Sequence, residues 1–199
     1  MSQPAAASVL QFPAFKDWAV IVEALGRGRQ ALILRKGGIA EGNQGFTIAH
    51  RSFWLFPTLY HQQLARTKSD AADLITEIPE KSPDYAVPIR YRADITDAFY
   101  LEDWRRVDAL EQYHVWCTDV IRERFDYGGE DGIHAFVCRV HALAEPRVFP
   151  WNSAFEGCKS WVDVPLPLDD ASLGETLTPV LSDAQFEEVR NGIRGIVGA

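Results

Sequence analysis

The sequence is poor in cysteine and contains no long hydrophobic run. Its three cysteines, at positions 117, 138 and 158, are an odd number with no disulfide framework, which favours a reducing, cytoplasmic location. No apolar stretch approaches the roughly 20 residues needed to span a bilayer, so no membrane partner is expected. Residues 1–8 lack the basic and apolar regions of a signal peptide and are predicted to be part of a flexible tail.

The motifs of common nucleotide-binding and hydrolytic sites are also missing. The sequence has no Gly-x-Gly-x-x-Gly, no phosphate-binding loop, no Gly-x-Ser-x-Gly and no His-Glu-x-x-His. No lysine follows a carboxylate at the two-residue offset of restriction-type nucleases. His114 and Cys117 would supply two of the usual four zinc ligands. We therefore predict neither a metal nor a cofactor.

What is present is typical of a globular protein. The 199 residues are 47% hydrophobic and 24% charged, which suits a chain that can bury its own core. We predict a flexible tail over residues 1–12 and a single α+β domain over residues 13–199. No internal repeat divides this domain.

Strand and helix patterns are mixed without strict alternation. Strands are expected at 19–22, 31–34, 46–48, 53–56, 87–91, 133–143 and 161–164, with the first two in a hairpin and Pro57 ending the fourth. Helices are expected at 60–78, as one long or two shorter helices over 104–121, and after Ser182, whose partner Gln185 completes a capping box. This order predicts an α+β fold with a mixed, largely antiparallel sheet, open or a partly closed barrel, and flanking helices.

Charge is distributed unevenly along the chain. Residues 1–99 carry 11 Lys and Arg against 10 Asp and Glu, whereas residues 100–199 carry 9 against 18. The acidic second half would repel a phosphate backbone. The first half has five cations between residues 27 and 51 facing only Glu41, so an anionic ligand is expected there.

The candidate site combines this basic segment with aromatic residues. Arg35 and Lys36 end a predicted strand as anion contacts, and Gly37 and Gly38 follow as backbone that can approach a ligand closely. Further polar contacts flank the apolar stretch 53–56, and these are His50, Arg51, Thr58 and His61. The alternative is a solvated strand end, a turn and an ordinary core strand.

Several segments resemble the bacterial and archaeal family of domains of unknown function numbered 1802. The most specific are Arg-Lys-Gly-Gly-Ile at 35–39 and Leu-Phe-Pro-Thr at 55–58, and the likeness continues through 139–140 and 157–161. This resemblance adds Arg139 and Trp161 as second-tier candidates. The family has no established activity, but some members carry restriction-endonuclease-like domains, which implies a role near restriction and modification.

Three functions remain open at this point. The leading hypothesis is a nucleic-acid or nucleotide binding module associated with restriction-modification systems, because cations and stacking aromatics suit single strands and flipped bases. The second is a small-molecule hydrolase or transferase that acts on an anionic substrate, with His50 or His61 moving a proton. The third is a structural or interaction protein whose aromatic residues form a homodimer face.

Overall fold

The structure is a computed structural model that describes residues 10–36, 49–59, 64–74, 85–157, 159–166 and 177–199. The predicted strand at 46–48 lies outside these residues, as do Gly37, Gly38, His61 and Cys158. No helix in the described part of the chain is long and apolar enough to cross a membrane.

The described residues include seven strands and four α-helices. In chain order they are β1 (Leu10–Trp18), α1 (Ala19–Gly26), β2 (Leu32–Arg35), β3 (Ser52–Thr58), β4 (Ala86–Leu101), α2 (Trp104–Asp108), α3 (Thr118–Asp126), β5 (Ile133–Pro150), β6 (Trp161–Leu166), β7 (Leu177–Pro179) and α4 (Asp183–Val197).

All seven described strands join one sheet in the order β2-β5-β4-β3-β1-β6, with β7 paired to β5. Only the β1–β3 pairing is parallel among them. The predicted α+β class with a mixed, largely antiparallel sheet is therefore confirmed. The sheet is not closed within the described residues, although Arg35 at the end of β2 reaches Ser160, just before β6 at the opposite edge.

Two apolar cores lie against this sheet. The larger core contains α1, β2 and residues from α2, α3 and α4. In the smaller core, residues of β1, β3 and β6 pack against the first residues of β4 and the second half of β5. β4 contributes Val87 and Ile89 to the smaller core and Tyr91 and Ala93 to the larger one. Its pairing with β5 shifts register between Ile89 and Tyr91, and such an irregularity bends a strand locally.

The predicted strand at 19–22 is wrong, because these residues begin α1. With it the predicted hairpin to 31–34 is also wrong. A short run of apolar residues does not show whether the hydrophobic period is that of a helix or of a strand. This is the case for α1, because it is buried on nearly all sides and Glu23 is its only charged residue. The strand before it is instead β1, which starts at Leu10, within the stretch assigned to a tail.

Other boundaries also differ from the predictions. β3 continues through Pro57 to Thr58, because its described pairing with β4 ends at Trp54, so no ladder hydrogen bond on that side requires the N–H that Pro57 lacks. The predicted helix at 60–78 is not continuous, since its described part forms two short 3-10 turns, Leu64–Arg66 and Ser69–Ala71.

The remaining elements agree with the sequence. β4, β5 and β6 contain the predicted strands, β2 overlaps the strand predicted at 31–34 with a shift of one residue, and α2 and α3 are the two shorter helices of the 104–121 alternative. The capping box of Ser182 and Gln185 starts α4 as predicted.

Candidate functional site: a cationic cleft between β2 and α3

The end of β2 and the end of α3 form the two sides of a cleft of about 260 Å³, which we call the cationic cleft. Among the described residues its lining is Arg35, Lys36, Glu123, Arg124 and Tyr127. Three cations thus face one carboxylate and one phenol. This composition suits an anionic ligand.

Arg124 enters the cleft from the buried side of α3. It lies one turn after Val120 and directly before Phe125, both of which belong to the larger core. The Arg124 guanidinium lies over the rings of Trp116, at 4.7 Å, and Trp18, at 5.4 Å, and its Nη1 donates to the Leu34 carbonyl oxygen at 2.9 Å. Stacking on two rings fixes the plane of the guanidinium.

The environment of Arg124 disfavours its charge without removing it. The pKa of Arg124 is lowered to about 10, mainly by burial; the charge of Asp17 opposes this shift, and the charges of Arg35 and Arg66 contribute to it. A group with this pKa remains cationic at neutral pH. The second guanidinium beside it raises the free energy of this charge, and an anion between the two would lower it.

Arg35 and Lys36 enter from the end of β2. The Nη2 of Arg35 donates to Ser160 Oγ at 3.0 Å, and its guanidinium lies 5.4 Å from the centre of the Phe15 ring. Lys36 Nζ donates to the carbonyl oxygens of Phe125, at 2.9 Å, and Glu130. Lys36 therefore also holds the chain that follows α3.

In the described part of the chain, the cations of the cleft have no carboxylate partners. Within the described residues, no carboxylate lies within 4.0 Å of the charged nitrogens of Arg35, Lys36 or Arg124. Glu123, the one acid in the lining, is already paired with Arg66 at 2.5 Å. Most other described arginines do form ion pairs. In a chain of net charge -8, this concentration of unpaired positive charge marks the cleft.

Buried charges lie close behind the cleft, at the end of β1. Asp17 is only 2% exposed, and its Oδ1 accepts from its neighbour Trp18 N at 2.8 Å. Its Oδ2 has no hydrogen-bond partner in the described part of the chain. The preceding Lys16 donates through Nζ to the carbonyl oxygens of Phe155 and Gly157, both at 2.8 Å.

Two of the predicted site residues, Arg35 and Lys36, line the cleft. Trp161 and His50 are neighbours of Arg35, because Phe15 contacts both Arg35 and Trp161, and His50 packs edge-on against Trp161 with 5.2 Å between ring centres. Gly37, Gly38 and His61 lie outside the described residues.

The other predicted residues have different environments. Thr58 Oγ1 donates to the Asp17 carbonyl oxygen at 2.9 Å, which joins the ends of β3 and β1. Arg51 is exposed, and its carbonyl oxygen accepts from Ile95 N at 2.8 Å. Arg139 lies apart from the cleft, paired with Asp183 at 2.6 Å and stacked on Phe186, where it anchors the start of α4.

Sequence reasoning missed Arg124, Glu123 and Tyr127. The available signal was the position of Arg124 in α3, four residues after Val120 and three after Ile121, on the side that the apolar residues bury. A cation on the buried side of a helix is uncommon and indicates a special environment. Nothing in the sequence indicated that this helix would face the end of β2.

The described residues contain no group of three or more His, Cys, Asp and Glu side chains that could hold a metal ion. Cys117 and Cys138 are free thiols. Burial raises the pKa of Cys117, and Cys138 is wholly buried in β5, so neither thiol is activated as a nucleophile.

Comparison with solved structures finds similar folds at low sequence identity. The crystal structure of ASCH from Zymomonas mobilis matches with a TM-score of 0.42 and 11% identity, covering 90% of this chain and 93% of that one. Two crystal structures of single-substitution variants of ZmASCH from the same organism match with TM-scores of 0.40 and 0.43, at 12% and 11% identity. They cover 90% of this chain and 94% and 96% of theirs.

A search of curated proteins finds no match. A family model, in contrast, matches residues 14–192, which is most of the chain and includes every residue of the cationic cleft. The protein therefore belongs to the family described as Domain of unknown function (DUF1802).

Proposed function

We propose that this protein is a binding module for nucleic acid or nucleotides, and that the cationic cleft receives a phosphate group. The observation that carries the proposal is the convergence of Arg35, Lys36 and Arg124, none of which has a carboxylate partner within the described residues. Arginine forms paired, charge-assisted hydrogen bonds with phosphate oxygens, and two guanidinium groups are available from opposite sides of the cleft.

Tyr127 supports a nucleotide over a simple anion. It lies at the end of α3, lines the cleft and is 55% exposed. An exposed aromatic ring beside a phosphate site offers a surface on which a base can stack, and such stacking tolerates any base. Two more rings, His50 and Trp161, lie near Arg35 and in contact with each other. They would extend the contact along a nucleic-acid strand.

The overall charge limits the extent of this contact. The net charge of -8 opposes binding along a phosphate backbone, so a discrete site for few phosphates is favoured over a broad basic surface. We expect a correspondingly shallow salt dependence of binding. The sequence candidates Gly37, Gly38, Arg51, Thr58 and His61 stay predictions for further contacts.

The test is binding of a fluorescent single-stranded oligonucleotide, measured by anisotropy at about 50 mM salt, where phosphate contacts are strongest. We expect Arg35→Gln to weaken binding about tenfold, since a hydrogen bond to a charged group contributes about 1.5–3 kcal/mol. The matched control is Arg90→Gln, because Arg90 is exposed on β4 and donates only weakly, to the Ala144 carbonyl oxygen at 3.5 Å.

Two results would contradict the proposal. The first is the absence of binding by the unmodified protein at low salt, and the second is an equal loss in Arg35→Gln and Arg90→Gln. Denaturation curves of both variants establish that each is folded under the assay conditions.

A hydrolase or transferase acting on an anionic substrate is the second candidate function. It is favoured by the Tyr127 hydroxyl, which shares the cleft lining with Arg35 and Arg124. Chromatography of the binding mixtures decides between the two, because an enzyme would consume its ligand at a rate that Arg35→Gln reduces. A cytoplasmic location and an association with restriction-modification systems complete the proposal.

A further inference from the structure

We infer that the cationic cleft is selective for a terminal phosphate monoester, either the phosphorylated end of a strand or a free nucleotide. The internal phosphodiesters of a strand would then bind much more weakly. This inference rests on the proposed function and specifies its ligand.

The first argument is charge. A phosphate monoester carries a charge of about -1.5 to -2 at neutral pH and three strong acceptor oxygens, whereas an internal phosphodiester carries a single negative charge. The described lining of the cleft has three cations, and its one acid is neutralised by Arg66. A dianion balances this set better than a monoanion does.

The second argument is the arrangement of the donors. Arg35 and Arg124 each use one terminal nitrogen for a hydrogen bond within the protein, to Ser160 Oγ and to the Leu34 carbonyl oxygen respectively. Each guanidinium has five N–H donors, so both retain donors without a partner in the described part of the chain. Because both groups also stack on aromatic rings, little side-chain entropy remains to be lost when three phosphate oxygens bind.

The third argument is size. The cleft holds about 260 Å³, somewhat below the roughly 300–1,000 Å³ of typical small-molecule pockets. That space suits a single nucleotide, either free or at the end of a strand, with its phosphate between the two arginines and its base against Tyr127. Lys36 keeps Tyr127 in reach, because its Nζ donates to the carbonyl oxygens of Phe125 and Glu130 on either side of that residue.

The experiment compares one oligonucleotide sequence in three forms, with a 5′-phosphate, with a 3′-phosphate and with hydroxyl groups at both ends. We expect at least one phosphorylated form to bind about tenfold more tightly than the hydroxyl form. Arg35→Gln should remove most of this difference, and Arg90→Gln should preserve it.

Equal affinities for the three forms would overturn the inference while leaving the proposed function intact. Failure of all three forms, and of a nucleoside 5′-monophosphate, to bind would overturn both. Arg124→Lys serves as a second variant, since it keeps the positive charge but loses the planar fork of donors. It should also reduce the preference, and an unchanged preference in both cleft variants would place the phosphate elsewhere.

The position of the base has its own test. Isothermal titration compares a nucleoside 5′-monophosphate with inorganic phosphate as ligands. Tyr127→Ala should weaken binding of the nucleotide on the order of tenfold and leave inorganic phosphate unchanged. The control is Tyr100→Ala, because Tyr100 is similarly exposed, at 48%, but is absent from the described cleft lining. Equal losses in the two variants would contradict stacking on Tyr127.

Discussion

The Arg124 guanidinium lies over the rings of both Trp18 and Trp116, on the side of α3 that packs into the core. Burying a cation without an ion pair is costly, and the lowered pKa of Arg124 expresses that cost. Stability alone would favour an apolar residue at this position, as large hydrophobic side chains occupy the neighbouring positions Ile121 and Phe125. This retained charge is the feature of the cleft that the proposed anionic ligand would use.

Gly26 illustrates how tightly the core packs at a single residue. A Cβ atom built on Gly26 would lie 2.2 Å from Cζ of Tyr91, whose buried ring also contacts Glu23 through its hydroxyl. We predict that Gly26→Ala lowers the free energy of unfolding by about 1–3 kcal/mol, the usual cost of overpacking. Urea denaturation measures the change, and an unaltered midpoint would show that the Tyr91 ring moves aside freely.

At the scale of elements, β2 and α3 hold each other in place through their cations. Arg124 of α3 donates to a carbonyl oxygen of β2, and Lys36 donates to one at the end of α3. Gln30, a neutral residue just before β2, donates to the Leu32 carbonyl oxygen at 2.8 Å and accepts from Val115 N at 3.1 Å. These bonds cover the outer edge of β2, which pairs only with β5 in the described sheet, and they form the cleft at the same time.

The last helix, α4, should respond in opposite directions to two alanine substitutions. Ser182→Ala removes the capping box and should destabilise the protein by about 1 kcal/mol. Gly195→Ala should stabilise it by about 0.5–1 kcal/mol, because a Cβ atom there meets nothing within 4 Å and glycine weakens a helix interior. Thermal melts of the two variants provide the measurement. Stabilisation by Ser182→Ala or destabilisation by Gly195→Ala would contradict the prediction, and no shift in either variant would mean that α4 contributes little to the cooperative unit.

At the scale of the whole molecule, the sheet brings its two ends together without closing. The contact between Arg35 and Ser160, at 3.0 Å, spans the path from β2 to the start of β6, across all the strands between them. Strand twist and the register shifts of β4 against β5 give the sheet the curvature that such a contact requires. The position of the Arg35 side chain in the cleft therefore depends on how the sheet brings β2 and the start of β6 together.

Global stability should depend on pH through His114, a residue outside the cleft lining. Burial, together with the charges of Lys68 and Arg124, lowers the pKa of His114 to about 3 from its usual value of 6.5. The folded state thus excludes a proton that the unfolded state binds below pH 6.5. Stability should fall as pH decreases from about 6.5 towards 3, by up to about 1.4 kcal/mol per pH unit from this group.

The check is a pair of urea titrations at pH 6.5 and pH 5, performed on the unmodified protein and on His114→Gln. The glutamine variant cannot titrate, so its loss of stability between the two pH values should be smaller. An identical loss in both proteins would assign the acid sensitivity to other groups.

The sequence by itself determined the features that depend on short-range patterns. The alternation in β4, the capping box of α4, the α+β class and the basic pair Arg35 and Lys36 were all readable from spacing and residue type. The spacing of apolar residues gave a wrong prediction at 19–22. Every residue of that run is apolar and α1 is buried on nearly all sides, so the run has no helical period and predicts a strand.

Only the tertiary structure decided which distant residues share the site. Arg35 and Arg124 are 89 positions apart, and Arg139, a second-tier candidate in the sequence, is paired with Asp183 at the start of α4. Whether a cation is paired or available depends on which carboxylates the fold brings within about 4 Å, and that distance is set by strand order and helix packing. For this reason the sequence predicted an anion site near Arg35, and only the fold showed that Arg124 lines the same cleft.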